Sequence, residues 1–377
     1  MDCFDSIKKD LYKNKDKLKS LSIYYDEINS YPHESIKILK EIQIFKRLFL
    51  KNNNVYFSIK QLEEILQIIS SCCMSTGLIC AMHFQQIITI IKHSKFKESV
   101  IIDQLLDPQL LIASVTSEVN KKSDIKKIRN NLNWIDENDF ILNRKALAVT
   151  GGLYADAFLL TSKIESNSNK NIFVYFKKKE ISVEKISQWE AMGVRPTQSD
   201  SLSFTGVLNK DKNLIFKQEY DYILNETFIP LAHIFWSACW LGCAKEALKE
   251  TVRFVRKNSV KNTEINLFRL SESRRKIDIV NMYLDYVIKE YLNSKSINKN
   301  TLNIHINDLK IISSTYLFDA INNFIEITGM SIGYKKNNRI FLEKYFRDLR
   351  SGSLMYSNDG LIKINGKISL FDSDLLP

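Results

Sequence analysis

Leu110-Leu-Ile-Ala-Ser-Val-Thr-Ser-Glu118 is an apolar, β-rich run ending in two hydroxyls and a carboxylate, and it stands where the character of the chain changes. Before it, from about Ile36 to Ile91, apolar residues recur at spacings of three and four, as in Leu62, Ile65, Leu66, Ile68 and Ile69, which predicts packed helices. After it come further short β-rich runs, Phe158 to Ser162, Ile172 to Phe176 and Ser201 to Val207, separated by polar turns. From Glu219 the helical period returns: Ile277, Val280, Tyr283, Leu284, Val287, Ile288 and Tyr291 mark one face, and Leu317, Ile321, Phe324 and Ile325 another. The predicted order is an N-terminal helical domain over 1–107, a middle β domain over 108–215 and a C-terminal helical bundle over 216–377.

With 377 residues, 45% of them hydrophobic and 26% charged, the chain is long enough for a large core and two or three domains. No apolar run is expected to reach the roughly 20 residues of a membrane helix, and Ile234 to Ala244 reads as a buried helix rich in small residues. Met1-Asp-Cys-Phe-Asp-Ser carries acid where a signal peptide needs base, so a cytoplasmic protein is expected. The six cysteines form no Cys-x-x-Cys unit, which argues against a zinc site or a disulfide framework. A formal charge of +11 suits an anionic partner. The lysines are dispersed and no groove-reading module is present, so nucleic acid is not expected.

Three segments share an order and spacing: Ser114-Val-Thr-Ser-Glu118 followed by Lys122-Ser-Asp124; Met192-Gly-Val-Arg-Pro-Thr-Gln-Ser199; and Ile327-Thr-Gly-Met-Ser-Ile-Gly-Tyr334 with Phe341 through Arg347-Asp348. Together they resemble landmarks of the acyl-CoA dehydrogenase family, across roughly residues 65 to 360. The resemblance implies an α+β fold with an N-terminal helical domain, a middle β-barrel and a C-terminal four-helix bundle. It also implies FAD as cofactor, an acyl thioester on CoA or an acyl-carrier protein as substrate, and a homodimer or homotetramer, because the family completes its flavin sites across subunits.

Carried over residue by residue, Thr116, Ser117 and Ser123 become flavin contacts, since short hydroxyls bond a polar ring edge without adding charge. Thr150 follows from Asn143 to Gly152, which is similar to the family strand lying against the flavin. Gly329 and Gly333 would let a backbone turn approach an adenine dinucleotide. Each segment has a plainer reading as well: a surface turn, a hairpin, a glycine-marked helix end. The chain also departs from the pattern, because Val119-Asn-Lys-Lys122 replaces the Pro-Gly-x-Gly stretch and Ala148 stands where a tryptophan is common. His83, after Ser75-Thr76 in a helix of small residues, reads as structural.

Removing a proton beside a thioester carbonyl needs a carboxylate of suitable pKa. The family's glutamate a few residues past Arg-Asp is absent here, where the chain reads Met355-Tyr356-Ser357. The other family location, Ile229-Pro-Leu-Ala-His-Ile234, also lacks one. Glu226 and Tyr356 are therefore the candidates for proton transfer, with His233 beside them. Three functions stay open: an acyl thioester dehydrogenase, a flavin monooxygenase on the same fold, and a degenerate binding or assembly member.

Overall fold

A computed structural model describes residues 3–51, 54–55, 58–118, 128–293, 299–336 and 340–372. The first third is helical: α1 Cys3–Lys13, α2 Lys15–Glu27, α3 His33–Glu41, α4 Ile44–Arg47, α5 Ile59–Cys72, α6 Met74–His93 and α7 Glu98–Ile101, with a short hairpin of β1 Leu50–Lys51 and β2 Asn54–Val55. The expected face of α5 is the buried one, with Leu62, Ile65 and Leu66 wholly inaccessible.

The middle of the chain supplies β3 Ile112–Val115, β4 Asn133–Trp134, β5 Asp139–Ala146, β6 Ala157–Lys163, β7 Asn171–Lys177, β8 Ser182–Ser187 and β9 Ser201–Asn209. They form a three-stranded sheet in the order β3-β6-β7 and a four-stranded antiparallel sheet in the order β4-β5-β9-β8. The β3 strand pairs parallel with β6, Ile112 opposite Ala157, and β6 runs antiparallel to β7. The inner faces share one core, in which Phe158 lies 5.3 Å from Phe176 and 5.1 Å from Phe204 between ring centroids. Alternation along β5 puts Phe140, Leu142, Arg144 and Ala146 inside. Strand β8 was not expected: Ser-Val-Glu-Lys-Ile-Ser is an exposed edge strand with no apolar alternation to announce it.

The last part comprises the short α8 Lys210–Asn213 and α9 Tyr220–Ile223, then α10 Ile229–Lys257, α11 Glu264–Leu292, α12 Lys299–Thr328, α13 Leu342–Arg350 and α14 Asn358–Ser369. Helices α11, α13 and α14 all pack on α12. The apolar faces expected on α11 and α12 are the buried ones, with Tyr283 and Ile325 half-buried at their margins. Two stretches, Met74–His93 and Tyr220–Lys257, have the length and hydropathy of membrane helices, contrary to expectation; 89% and 94% of their apolar windows are buried inside the protein.

Contacts divide the chain into two compact units. The first comprises Met1–Leu62, Leu78–Glu190 and Arg195–Ala232; the second comprises Glu63–Gly77, Ala191–Val194 and His233–Pro377.

Candidate functional site

In the first unit the segment that leaves β3 is held by a buried ion pair. Arg144, 1% exposed on the inner face of β5, meets the Glu118 carboxylate and donates from Nη2 to the Ser117 carbonyl at 2.7 Å. Glu118 also accepts the backbone N–H groups of Arg129 and Asn130 at 3.1 and 3.0 Å. Burial pulls the guanidinium below its ordinary pKa, and the Glu118 charge opposes that pull. Thr116 and Ser117 are thus fixed at the edge of the sheet, both half-buried.

Ser117 brings in the next segment. Its Oγ donates to the Ala148 carbonyl at 3.0 Å and accepts the Ala148 N–H at 3.2 Å, clamping the stretch before Thr150. Thr150 in turn accepts from Ser199 Oγ at 3.2 Å, and Ser199 bonds Thr197 at 2.8 Å. Gly151 donates to the Thr197 carbonyl at 2.8 Å and stands at φ 63°, where a Cβ would lie 3.3 Å from the Tyr31 ring, so both conformation and space call for glycine. Ser117 and Thr150 are therefore tied to one stretch of backbone, with Thr116 next to Ser117 in the chain. Thr197 and Ser199 join them although they were not singled out from the sequence. The Thr-x-Ser spacing after Arg195 was the available signal, but a hydroxyl's partner in space is not written in its own segment. Ser123 lies outside the described residues.

His83 is structural, as expected: its Nδ1 accepts the Ile112 N–H at 3.2 Å, and burial pushes the imidazole down to about 3. Glu226, also in the first unit, sits in a π-helical turn, Leu224–Phe228, and faces Lys92 and His93 electrostatically. A cavity of about 510 Å³ in this unit is lined by Tyr31, Ile36, Lys37, Lys40, Leu111 and Tyr154 and does not include the hydroxyls.

The second unit holds the remaining candidates. Gly329 adopts φ 79°, ψ −178°, a region essentially confined to glycine, and opens the π-helical turn Met330–Tyr334. Gly333 packs so tightly that a Cβ would lie 2.1 Å from Thr328 Oγ1. Both glycines thus have a structural reason in the turn itself. Asp348 is wholly buried, accepting the Val194 N–H and Lys344 Nζ, each at 2.6 Å. Arg347 donates to the Met192 carbonyl at 3.0 Å. Gly193 packs with no room for a side chain, since a Cβ would sit 2.0 Å from the Arg347 carbonyl oxygen. The Arg-Asp pair therefore anchors 191–194 on α13. Tyr356 is half-buried at φ 50°, its ring centroid 5.7 Å from that of His233. The His233 ring is bonded to the backbone of Ile306, and burial pushes it down to about 3.

Solved structures of like architecture show which fold this is. Butyryl-CoA dehydrogenase from Megasphaera elsdenii superposes with a TM-score of 0.85 over 98% of both chains, at 14% identity. The chain has the acyl-CoA dehydrogenase fold. The prolyl acyl carrier protein oxidase AnaB matches at 0.83 over 97% of this chain and 98% of its own, with 16% identity. Dibenzothiophene monooxygenase TdsC from Paenibacillus sp. A11-2 matches at 0.80 over 98% and 97%, with 14% identity. No protein-family model and no curated protein matches the chain in sequence. On this fold, Ser114 to Glu118 forms the end of β3 and the segment that leaves it, Met192 to Ser199 the turn before β9, and the third landmark the turn between α12 and α13 together with most of α13.

Proposed function

We propose that the protein is a flavin-dependent oxidoreductase binding FAD, acting in the cytoplasm as a homodimer or homotetramer, and that it dehydrogenates an acyl thioester carried on CoA or an acyl-carrier protein. The observation that supports this is that Ser117, which the resemblance places at the flavin edge, clamps the Ala148 backbone just before Thr150, the other hydroxyl it places there, and that Thr150 is bonded to Ser199 and through it to Thr197. These groups fit the cofactor chemically: they are short, neutral and able both to donate and to accept, which suits a ring edge carrying N–H, N and C=O groups. Bound flavin would supply the hydride acceptor. Ser117 and Thr150 would orient it, and Thr116 would line the approach. The proton would pass to Glu226, since the stretch from Ser353 to Asn358 contains no carboxylate, and Tyr356 would serve a different proton transfer.

That missing carboxylate also favours a second reading, a monooxygenase on the same fold, which needs no base beside a thioester. Both kinds occur among the solved structures of like fold, a dehydrogenase and a monooxygenase. The deciding experiment starts from the absorption spectrum of purified protein incubated with FAD. Anaerobic bleaching of the flavin band by butyryl-CoA supports dehydrogenation. Reduction only by an external flavin reductase, with oxygen-dependent product, supports the monooxygenase. Protein that stays colourless leaves a binding or assembly role.

A further inference from the structure

The interior of the bundle holds a cation of unusual placement. Lys310, at the middle of α12, is wholly buried, and among the described residues it forms no ion pair. Its Nζ donates to Asn358 Oδ1 at 2.7 Å and lies 6.0 Å from the centroid of the Trp240 ring on α10. Asn358, the first residue of α14, donates to Ser314 Oγ at 3.0 Å. At the other end of the same turn Gly352 packs where a Cβ would lie 3.1 Å from Ser314 and 3.3 Å from Trp240. The turn 351–357 is thus gripped at both ends by groups around Lys310, and inside it Tyr356 is held at a positive φ of 50°. A non-glycine residue stays in that region only when its surroundings over-determine it.

We propose that Lys310 is a positioning residue for Tyr356: through Asn358 it sets where the tyrosine ring stands beside His233, and it does so differently when the amine is charged and when it is neutral. The catalytic consequence rests on Tyr356 serving proton transfer in the reaction proposed above; the coupling itself does not. Burying an ammonium without a counter-charge is costly, and burial pushes Lys310 down to about 7. From α10 the amine has His233 and Trp240 near it, and His233 stays neutral through that range. From α14 it meets Asn358, with Tyr356 two residues earlier. The carboxylates Asp308 and Asp319 of its own helix and Asp348 of α13 are engaged with Asn365, Lys276 and Lys344. Lys310 is therefore the group of this cluster that changes charge near neutrality.

The test replaces Tyr356 in the full chain by 4-fluorophenylalanine, which has no ring proton to lose, and follows its fluorine resonance from about pH 5.5 to 9, across the ordinary histidine range and beyond. A single step centred near 7 is expected. Lys310→Met should abolish the step, and Lys310→Arg, always charged, should hold the resonance at its acid-side position with no step. Asn358→Leu should flatten it as well by cutting the link. A pH-independent resonance, or a step that persists in Lys310→Met or Lys310→Arg, overturns the proposal. Because the readout needs no flavin, a colourless protein showing the step would sink the redox assignment alone. Thioester-driven bleaching without the step would sink only the role of Lys310.

Discussion

Two buried cations, one in each compact unit, have been handled in opposite ways. Arg144 in the β region is matched by Glu118 and by the Ser117 carbonyl, and Glu118's carboxylate also accepts two backbone N–H groups. Lys310 in the bundle has an amide oxygen and an indole face. A charge paired with a carboxylate is a fixed support, whereas a charge without a counter-ion keeps its cost and stays poised to lose a proton. The difference matches what each place is asked to do. In the proposed function the strand end carrying Thr116 and Ser117 is asked to stay still and present hydroxyls, while the turn carrying Tyr356 is tied through Asn358 to an amine whose pKa burial lowers to about 7.

The sharpest way to break this contrast is Arg144→Met, which strands Glu118 in the interior. It should cost about 3–5 kcal/mol in urea unfolding, and adding Glu118→Leu should recover much of the loss, because removing both charges removes the penalty. A cost below about 1 kcal/mol for the single variant would mean the pair is no support at all.

The opposite sign is expected for Lys310→Met. The folded-state pKa near 7 lies below the unfolded value of about 10.4, so between the two the folded chain binds fewer protons and stability climbs with pH. The unmodified protein should be least favoured below that window, and Lys310→Met should gain about 1–4 kcal/mol there, the gain shrinking as the pH rises toward 10. Equal gains on both sides of the window would show that Lys310 is not depressed.

The smallest effect is assigned to Ser117→Ala, which removes the two-way bond to Ala148. About 1 kcal/mol of stability should be lost. If Ser117 also touches the cofactor, FAD affinity measured by fluorescence titration should fall by roughly fivefold more than in Ser201→Ala, whose hydroxyl also caps a nearby carbonyl.

Much of this was legible before any coordinates. The helical faces of α5, α11 and α12 follow from spacing, because burial against a neighbour selects one stripe of a helix. The β runs over Phe158, Ile172 and Ser201 follow from apolar alternation bounded by polar turns. The edge strand β8 did not, since a strand with both faces wet has no pattern to show. Arg144 carries a signal in its spacing: in Phe140-x-Leu142-x-Arg144-x-Ala146 its parity is inward, and an inward charge demands a partner. Lys310 is similar, spaced four and seven residues from the buried Ile306 and Leu317 on the inner face of α12.

By itself, then, the chain determined which residues turn inward, where helices give way to strands, and which short segments carry hydroxyls and glycines, because these are properties of local period and backbone freedom. Only the tertiary structure decided that Glu118 answers Arg144 across 26 residues, that Ser199 bonds Thr150, and that among the described residues no carboxylate pairs with Lys310. Partnership between polar groups is a matter of distance in space. Chain spacing constrains that distance only within an element, so the pairing waited for the fold.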